Sequence, residues 1–298
     1  MNPAFSVIFF TTAAGAGYGL ACLLSLFLPL LVAQSRSAVL IGFAIALVLV
    51  TAGLLSSTFH LGHPERAWRA LTQWRSSWLS REGVLAVLTY PPLLGLAWLV
   101  YRAAPDDGTL KALRMASVAL PLATVFATGQ IYASLRAIPE WHLPSVTLNY
   151  LLLALMSGGL LLAAIGLALP HGLLPALVAA AALGKGWHWR QMAALAPAGG
   201  PGVASGLDRF GTVSVLSQPH TERNYLQKEM GFRLARKHAA KLRRIAVAAL
   251  FVVPLVGSLV GGSLAALLVL PALALGLLVE RWLFFAEARH VVMGYYGG

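Results

Sequence analysis

The sequence predicts an all-α, polytopic membrane bundle of about eight transmembrane helices. Three observations carry that prediction. Of 298 residues, 58% are hydrophobic and only 11% are charged, and the mean hydropathy is +0.76, far outside the range of a soluble domain of this size. The apolar residues fall into runs of about 20, the length a helix needs to cross the hydrocarbon while satisfying its own backbone hydrogen bonds. Tryptophans and tyrosines, among them Trp78, Trp98, Tyr101, Trp141, Trp187 and Trp189, gather at the ends of those runs, where amphipathic rings favour the headgroup layer.

Taken in order, the spans are expected at 5–33, 38–59, 82–102, 112–135, 146–169, 172–190, 245–263 and 265–288. The first follows Met-Asn-Pro-Ala-Phe with no preceding cation and is too long for a signal-peptide core, so it is read as a retained helix. Pro170-His171-Gly172 separates the fifth span from the sixth, and Gly261-Gly262 the seventh from the eighth. Gly15, Gly17 and Gly19, with Ser157, Gly158 and Gly159, mark expected close helix contacts, because small residues let backbones approach in lipid. The chain is read as one transmembrane domain over 1–298, with an extramembrane loop and basic helix at 193–244. No internal repeat is visible.

An even number of spans places both termini and the even-numbered loops on one side. That side holds 18 of the 22 Lys and Arg residues, eight of the ten acids and seven of the eight histidines. The positive-inside rule therefore predicts that both termini are cytoplasmic in a bacterial inner membrane. The net charge of +12 is read as orientation, lipid contact and docking rather than nucleic-acid binding. From Thr221 to Arg244 the cations outnumber Glu222 and Glu229, which suits either an acidic partner or anionic lipid.

The polar chemistry concentrates in a few places on that side. Ser57-Thr58-Phe59-His60-Leu61-Gly62-His63-Pro64-Glu65-Arg66-Ala67-Trp68 closes the second span, and Ser80-Arg81-Glu82-Gly83 opens the third. His60 and Glu82 are thus expected at adjacent helix ends near membrane depth, where an ionisable residue marks function. Histidine exchanges protons near neutral pH, and a carboxyl group withdrawn from water can do likewise, so the pair suits a proton-coupled redox ligand such as a quinol. The competing reading makes both interfacial caps. Arg66, Arg81, Tyr132, Arg136, Glu280 and Arg281, with Gln130, could line the same pocket or a proton path. For Glu280 and Glu287 a network of ion pairs locking the last helix is the plainer account.

Cys22 is the only cysteine, so this chain supplies neither a disulfide nor the thiolates of an iron–sulfur cluster. No histidine is expected at the centre of a span, which argues against a buried bis-histidine haem. A secondary transporter would place polar groups near mid-depth, and these spans do not.

The Phe-His-Leu-Gly-His-Pro-Glu-Arg-Ala-Trp run, the Leu-Ser-Arg-Glu-Gly run and the eight-span plan resemble the anchor subunits of dimethyl-sulfoxide-reductase-type molybdoenzymes. That resemblance implies a haem-free bundle bound to an iron–sulfur subunit, which relays electrons to a molybdopterin catalytic subunit. It also implies a quinol site, for ubiquinone or menaquinone, at the positions of His60 and Glu82. The tail Glu-Arg-Trp-Leu-Phe-Phe-Ala-Glu-Ala-Arg-His and the Thr-Glu-Arg-Asn-Tyr-Leu-Gln-Lys-Glu-Met segment look more like the branch anchoring cytoplasmic sulfite dehydrogenases than the menaquinol-oxidising branch that serves sulfoxide and related reductases.

Overall fold

The computed structural model describes residues 4–59, 63–105, 107–195, 200–214, 216 and 234–296. Among these residues every regular element is helical. The helices are α1 (Phe5–Leu26), α2 (Leu28–Gln34), α3 (Arg36–Thr58), α4 (Trp78–Tyr101), α5 (Gly108–Ala133), α6 (Pro144–Ala164), α7 (Leu173–Ala193), the short α8 (Pro201–Ser205), α9 (Leu234–Val247), α10 (Val253–Val260) and α11 (Ser263–Ala286). A 3₁₀ segment, Pro64–Leu71, links α3 to α4, and a π-helical turn, Ala248–Val252, joins α9 to α10.

Seven helical stretches are long and apolar enough to cross a membrane, with His238–Val260 crossing as one rod through α9, the π turn and α10. α7 runs antiparallel to α6 as the eighth rod: Asn149 Nδ2 donates to the Gly184 carbonyl oxygen (3.2 Å), and Ser145 Oγ meets His188 Nδ1 (2.9 Å). Lys185, His188 and Arg190 make α7 more polar than its neighbours, yet Lys185 and His188 are buried. Sequence places Lys185 with the loop cations and His188 at a span end; both are inside the bundle.

The expected first span is broken at Phe27, because Pro29 lies in the first turn of α2 and cannot continue the hydrogen-bond ladder of α1. The turns before α7 and α11 fall where expected, with Gly172 at φ +79°, Gly261 at +76° and Gly262 at +83°, conformations that side chains disfavour.

α1 is the axis of the bundle. In its most apolar stretch 83% of residues are buried, against 33% for α3. Small residues make that position possible: a Cβ at Gly17 would meet the Ala46 carbonyl oxygen of α3 at 2.8 Å, and Gly19 and Gly158 leave no room for a Cβ where α1 crosses α6. Gly15 has open space around it and makes no such contact. Val48, Leu183, Leu264 and Leu268 point outward and are more than half exposed. Such an exterior is stable in lipid, not in water.

Candidate functional site

The helix directions bring one set of ends together: the starts of α1, α4 and α6 and the ends of α3, α5, α7 and α11. α4 begins four residues before Glu82, with Ser77 as its N-cap. Glu82 therefore lies in the second turn, facing inward, and is 4% exposed. It lines a cleft of about 470 Å³ bounded by Phe10 of α1, Thr58 of α3, Arg66 and Leu71 of the 3₁₀ segment, and Tyr132 of α5. The wall is mostly apolar, and the polar groups converge from the loop side.

The Glu82 carboxyl group makes no ion pair among the described residues. Its partner is the Thr128 hydroxyl, which donates to Oε1. Thr128 Oγ1 also lies 3.0 Å from the Thr124 carbonyl oxygen. One hydroxyl hydrogen faces two acceptors, so both contacts are fully satisfied only when the carboxyl group carries a hydrogen of its own to donate. Tyr18 of α1 and Tyr132 stand close enough to interact electrostatically with Glu82.

His60 lies outside the described residues. Leu61 and Gly62 do too, and the described residues that flank this stretch, Thr58 before it and His63 after it, both line the Glu82 cleft. His63 Nδ1 is 3.0 Å from Glu65 Oε1, and both side chains are exposed. Arg66 lines the cleft, with its Nε 3.7 Å from Glu65.

The other candidates divide. Arg81 turns away from the cleft, donating to the carbonyl oxygens of Trp74 (3.0 Å) and Arg75 (2.6 Å) while its guanidinium covers the Trp78 ring. It fixes the loop before α4. Arg136 is exposed in the turn after α5. Glu280 and Arg281 form a separate buried cluster with Lys185: Lys185 Nζ donates to Glu280 Oε1, and Arg281 Nε to Oε2 at 2.5 Å. Glu287 pairs with Arg243 at 3.0 Å and Glu140 with Arg289 at 2.8 Å. The ion-pair account of the last helix is thus what the geometry displays.

An aromatic group connects cleft and cluster. Tyr132 stacks on Tyr150 with ring centres 5.8 Å apart, and the Arg281 guanidinium lies 4.2 Å over the Tyr150 ring. Trp141 stacks on Phe284 and donates from Nε1 to the Phe284 carbonyl oxygen at 2.9 Å. Thr128 and Lys185 are the residues sequence reasoning missed. An isolated lysine in one span and an isolated glutamate in another at matching depth is the signal that could have paired Lys185 with Glu280. No such signal marks Thr128. Among the described residues no group of His, Cys, Asp and Glu could hold a metal ion.

Comparison with known proteins places the chain in a family. The chain is 34% identical over 326 aligned residues to a sulfite dehydrogenase subunit of Allochromatium vinosum, covering 99% of each chain. It is 32% identical over 131 residues to the anaerobic dimethyl sulfoxide reductase chain YnfH of Escherichia coli K12, covering 44% of this chain and 45% of that one. No solved structure matches. The family model described as the DMSO reductase anchor subunit (DmsC) matches residues 1–181, the part that builds α1 through α6, the start of α7 and the whole Glu82 cleft, and the chain belongs to that family of membrane anchor subunits.

Proposed function

We propose that this anchor binds a quinone in the Glu82 cleft and exchanges an electron pair with the iron–sulfur subunit of a molybdopterin enzyme, with His60 and Glu82 handling the protons. In the oxidative direction the quinone takes two electrons from the partner and two protons from the protein to become quinol. The chemistry at molybdenum belongs to the catalytic subunit. The family supports the partners, and the relative named as a sulfite dehydrogenase subunit favours sulfite oxidation over the reduction named for the second relative.

The observation that carries the reading is the Glu82 carboxyl group itself. It sits in an apolar cleft, without a counter-ion among the described residues, against a hydroxyl whose single hydrogen leaves one contact for a proton on the carboxyl. An ionisable group in that position is expensive, and by default it marks function. Arg66 of the 3₁₀ segment lines the loop side of the cleft, where the iron–sulfur subunit would approach. The 18 basic residues on this side support a cytoplasmic mouth, cytoplasmic termini and cytoplasmic partners, with the chain in the inner membrane.

The test is to express the whole complex with His60→Ala or Glu82→Gln and to measure quinone-linked turnover beside turnover with an artificial acceptor that draws electrons from the partner subunits. Loss of the first with retention of the second is expected. Wild-type quinone-linked rates in both variants, at normal assembly, would reject the assigned roles.

A further inference from the structure

A second groove lies at the same membrane face on the other flank of α5. Its volume is about 550 Å³, and it opens laterally between α5 and α6. Gln130, His142 and Thr147 line its loop end, and Phe126, Leu148 and Leu151 continue it one helical turn toward the bilayer centre. Phe126 and Leu148 are each 40% exposed, so the apolar end faces lipid.

The polar end is unfinished. Thr147 is 6% exposed, yet its hydroxyl has no hydrogen-bond partner among the described residues. Other hydroxyls in the bundle avoid that cost by donating to the carbonyl four residues earlier, as Thr89, Thr124 and Ser157 do at 2.7–2.8 Å. Thr147 does not, and its backbone is pressed against α5, where a Cβ on Gly129 would meet the Thr147 Cα at 2.8 Å. A buried hydroxyl left without a partner is costly, so a turn of the Thr147 side chain into the groove, toward an acceptor supplied from outside, is favoured. His142 is posed too. Its Nδ1 lies 2.6 Å from the Ala133 carbonyl oxygen, which can only accept, so Nδ1 carries the hydrogen and Nε2 of the neutral ring presents a lone pair. The first turn of α6, which no side chain caps, opens on the same end.

We infer that the α5–α6 groove is a second quinone site, in which Thr147 and Gln130 donate to a ring oxygen, His142 Nε2 accepts from a quinol hydroxyl, and the isoprenoid tail follows Phe126 and Leu151 into the lipid. This inference rests on the quinone reading of the Glu82 cleft. A neutral ring bearing two oxygens fits a polar end that, among the described residues, no lysine, arginine or carboxylate lines, whereas a phospholipid phosphate would find no countercharge there. Without a carboxyl group beside it, the groove binds and holds; it does not turn over. Its lateral mouth makes it a loading site from which quinone exchanges with the bilayer.

The experiment uses the intact complex in native membranes with a photoreactive azidoquinone, followed by peptide mapping. Label is expected in two places, at residues 54–83 around the cleft and at 126–151 around the groove. Thr147→Val with Gln130→Leu should abolish the second label and about halve the quinone that co-purifies, while Glu82→Gln leaves the groove label in place. Label confined to the cleft overturns this inference and leaves the proposed function standing. Label confined to the groove does the reverse, sinking the Glu82 assignment while the groove survives. A phospholipid that co-purifies and is lost in the double variant, with quinone content unchanged, overturns the second site.

Discussion

Two buried carboxyl groups at one face of this bundle are treated in opposite ways. Glu280, on α11, meets Lys185 from α7 and its own neighbour Arg281, and all three are nearly inaccessible. Glu82, on α4, meets a threonine hydroxyl and an apolar cleft. The first arrangement holds a fixed charge and ties three helices together, with Tyr150 of α6 under the guanidinium. The second leaves a carboxyl group free to gain or lose a proton without dismantling its surroundings. Burial alone therefore does not separate a structural carboxyl group from the one proposed to exchange protons. What separates the two is the partner: cations lock a carboxylate, and a neutral hydroxyl does not.

The largest effect should follow from breaking the locked one. Glu280→Ala leaves two buried cations without their countercharge, and losing one member of such a cluster costs about 3–5 kcal/mol. The complex should fail to accumulate in membranes, read by immunoblot and by thermal unfolding of what remains. Replacing all three charges together, Lys185→Met, Glu280→Leu and Arg281→Met, removes the imbalance and should restore accumulation, because apolar side chains of similar volume often match a buried ion cluster in stability. Recovery of quinone-linked turnover in the triple variant would show that the cluster is structural. Assembly without turnover would extend the working site through Tyr132 and Tyr150 to Arg281.

Glu82→Gln should give the converse pattern. The amide keeps the volume and a hydrogen-bonding contact with Thr128, so unfolding should shift little. Quinone-linked turnover should fall at least about a hundredfold, the low end of what general acid–base groups contribute. A Glu82→Gln complex that fails to assemble would place Glu82 with Glu280 and erase the distinction between them.

Much of this was legible in the chain. Runs of about 20 apolar residues gave the helices, parity and charge sorted the loops onto two sides, and Glu82 stood out as an acid opening one span beside the end of the span before it. The pairing of Lys185 with Glu280 was not legible: 95 residues separate them, and sequence alone does not say which helices touch. Gln130 and Tyr132 illustrate a finer failure. They are neighbours at one helix end, read as lining one cavity, yet two residues along a helix turn through about 200°. Tyr132 faces the Glu82 cleft and Gln130 the α5–α6 groove. Thr128 was invisible for another reason. Threonines four apart in an apolar helix, like Thr124 and Thr128, look like hydroxyls bonded back to their own backbone, which both of them also are.

Thr128 supplies the smallest and sharpest test of the comparison. Thr128→Val keeps the shape and removes the one side chain that, among the described residues, hydrogen-bonds to Glu82. A single buried hydrogen bond is worth about 0.5–1.5 kcal/mol, so turnover should fall only a few-fold and unfolding should move slightly. Thr128→Ser, which retains the hydroxyl and the carbonyl behind it, should recover the wild-type rate. The informative readout is the pH profile of quinone-linked turnover. If Thr128 merely packs, the valine variant lowers the whole curve without moving it. If its hydrogen bond bears on proton exchange at Glu82, the limb of the curve belonging to Glu82 shifts in the valine variant and returns in the serine variant, whereas the same pair of changes tested on a Glu82→Gln background shifts nothing.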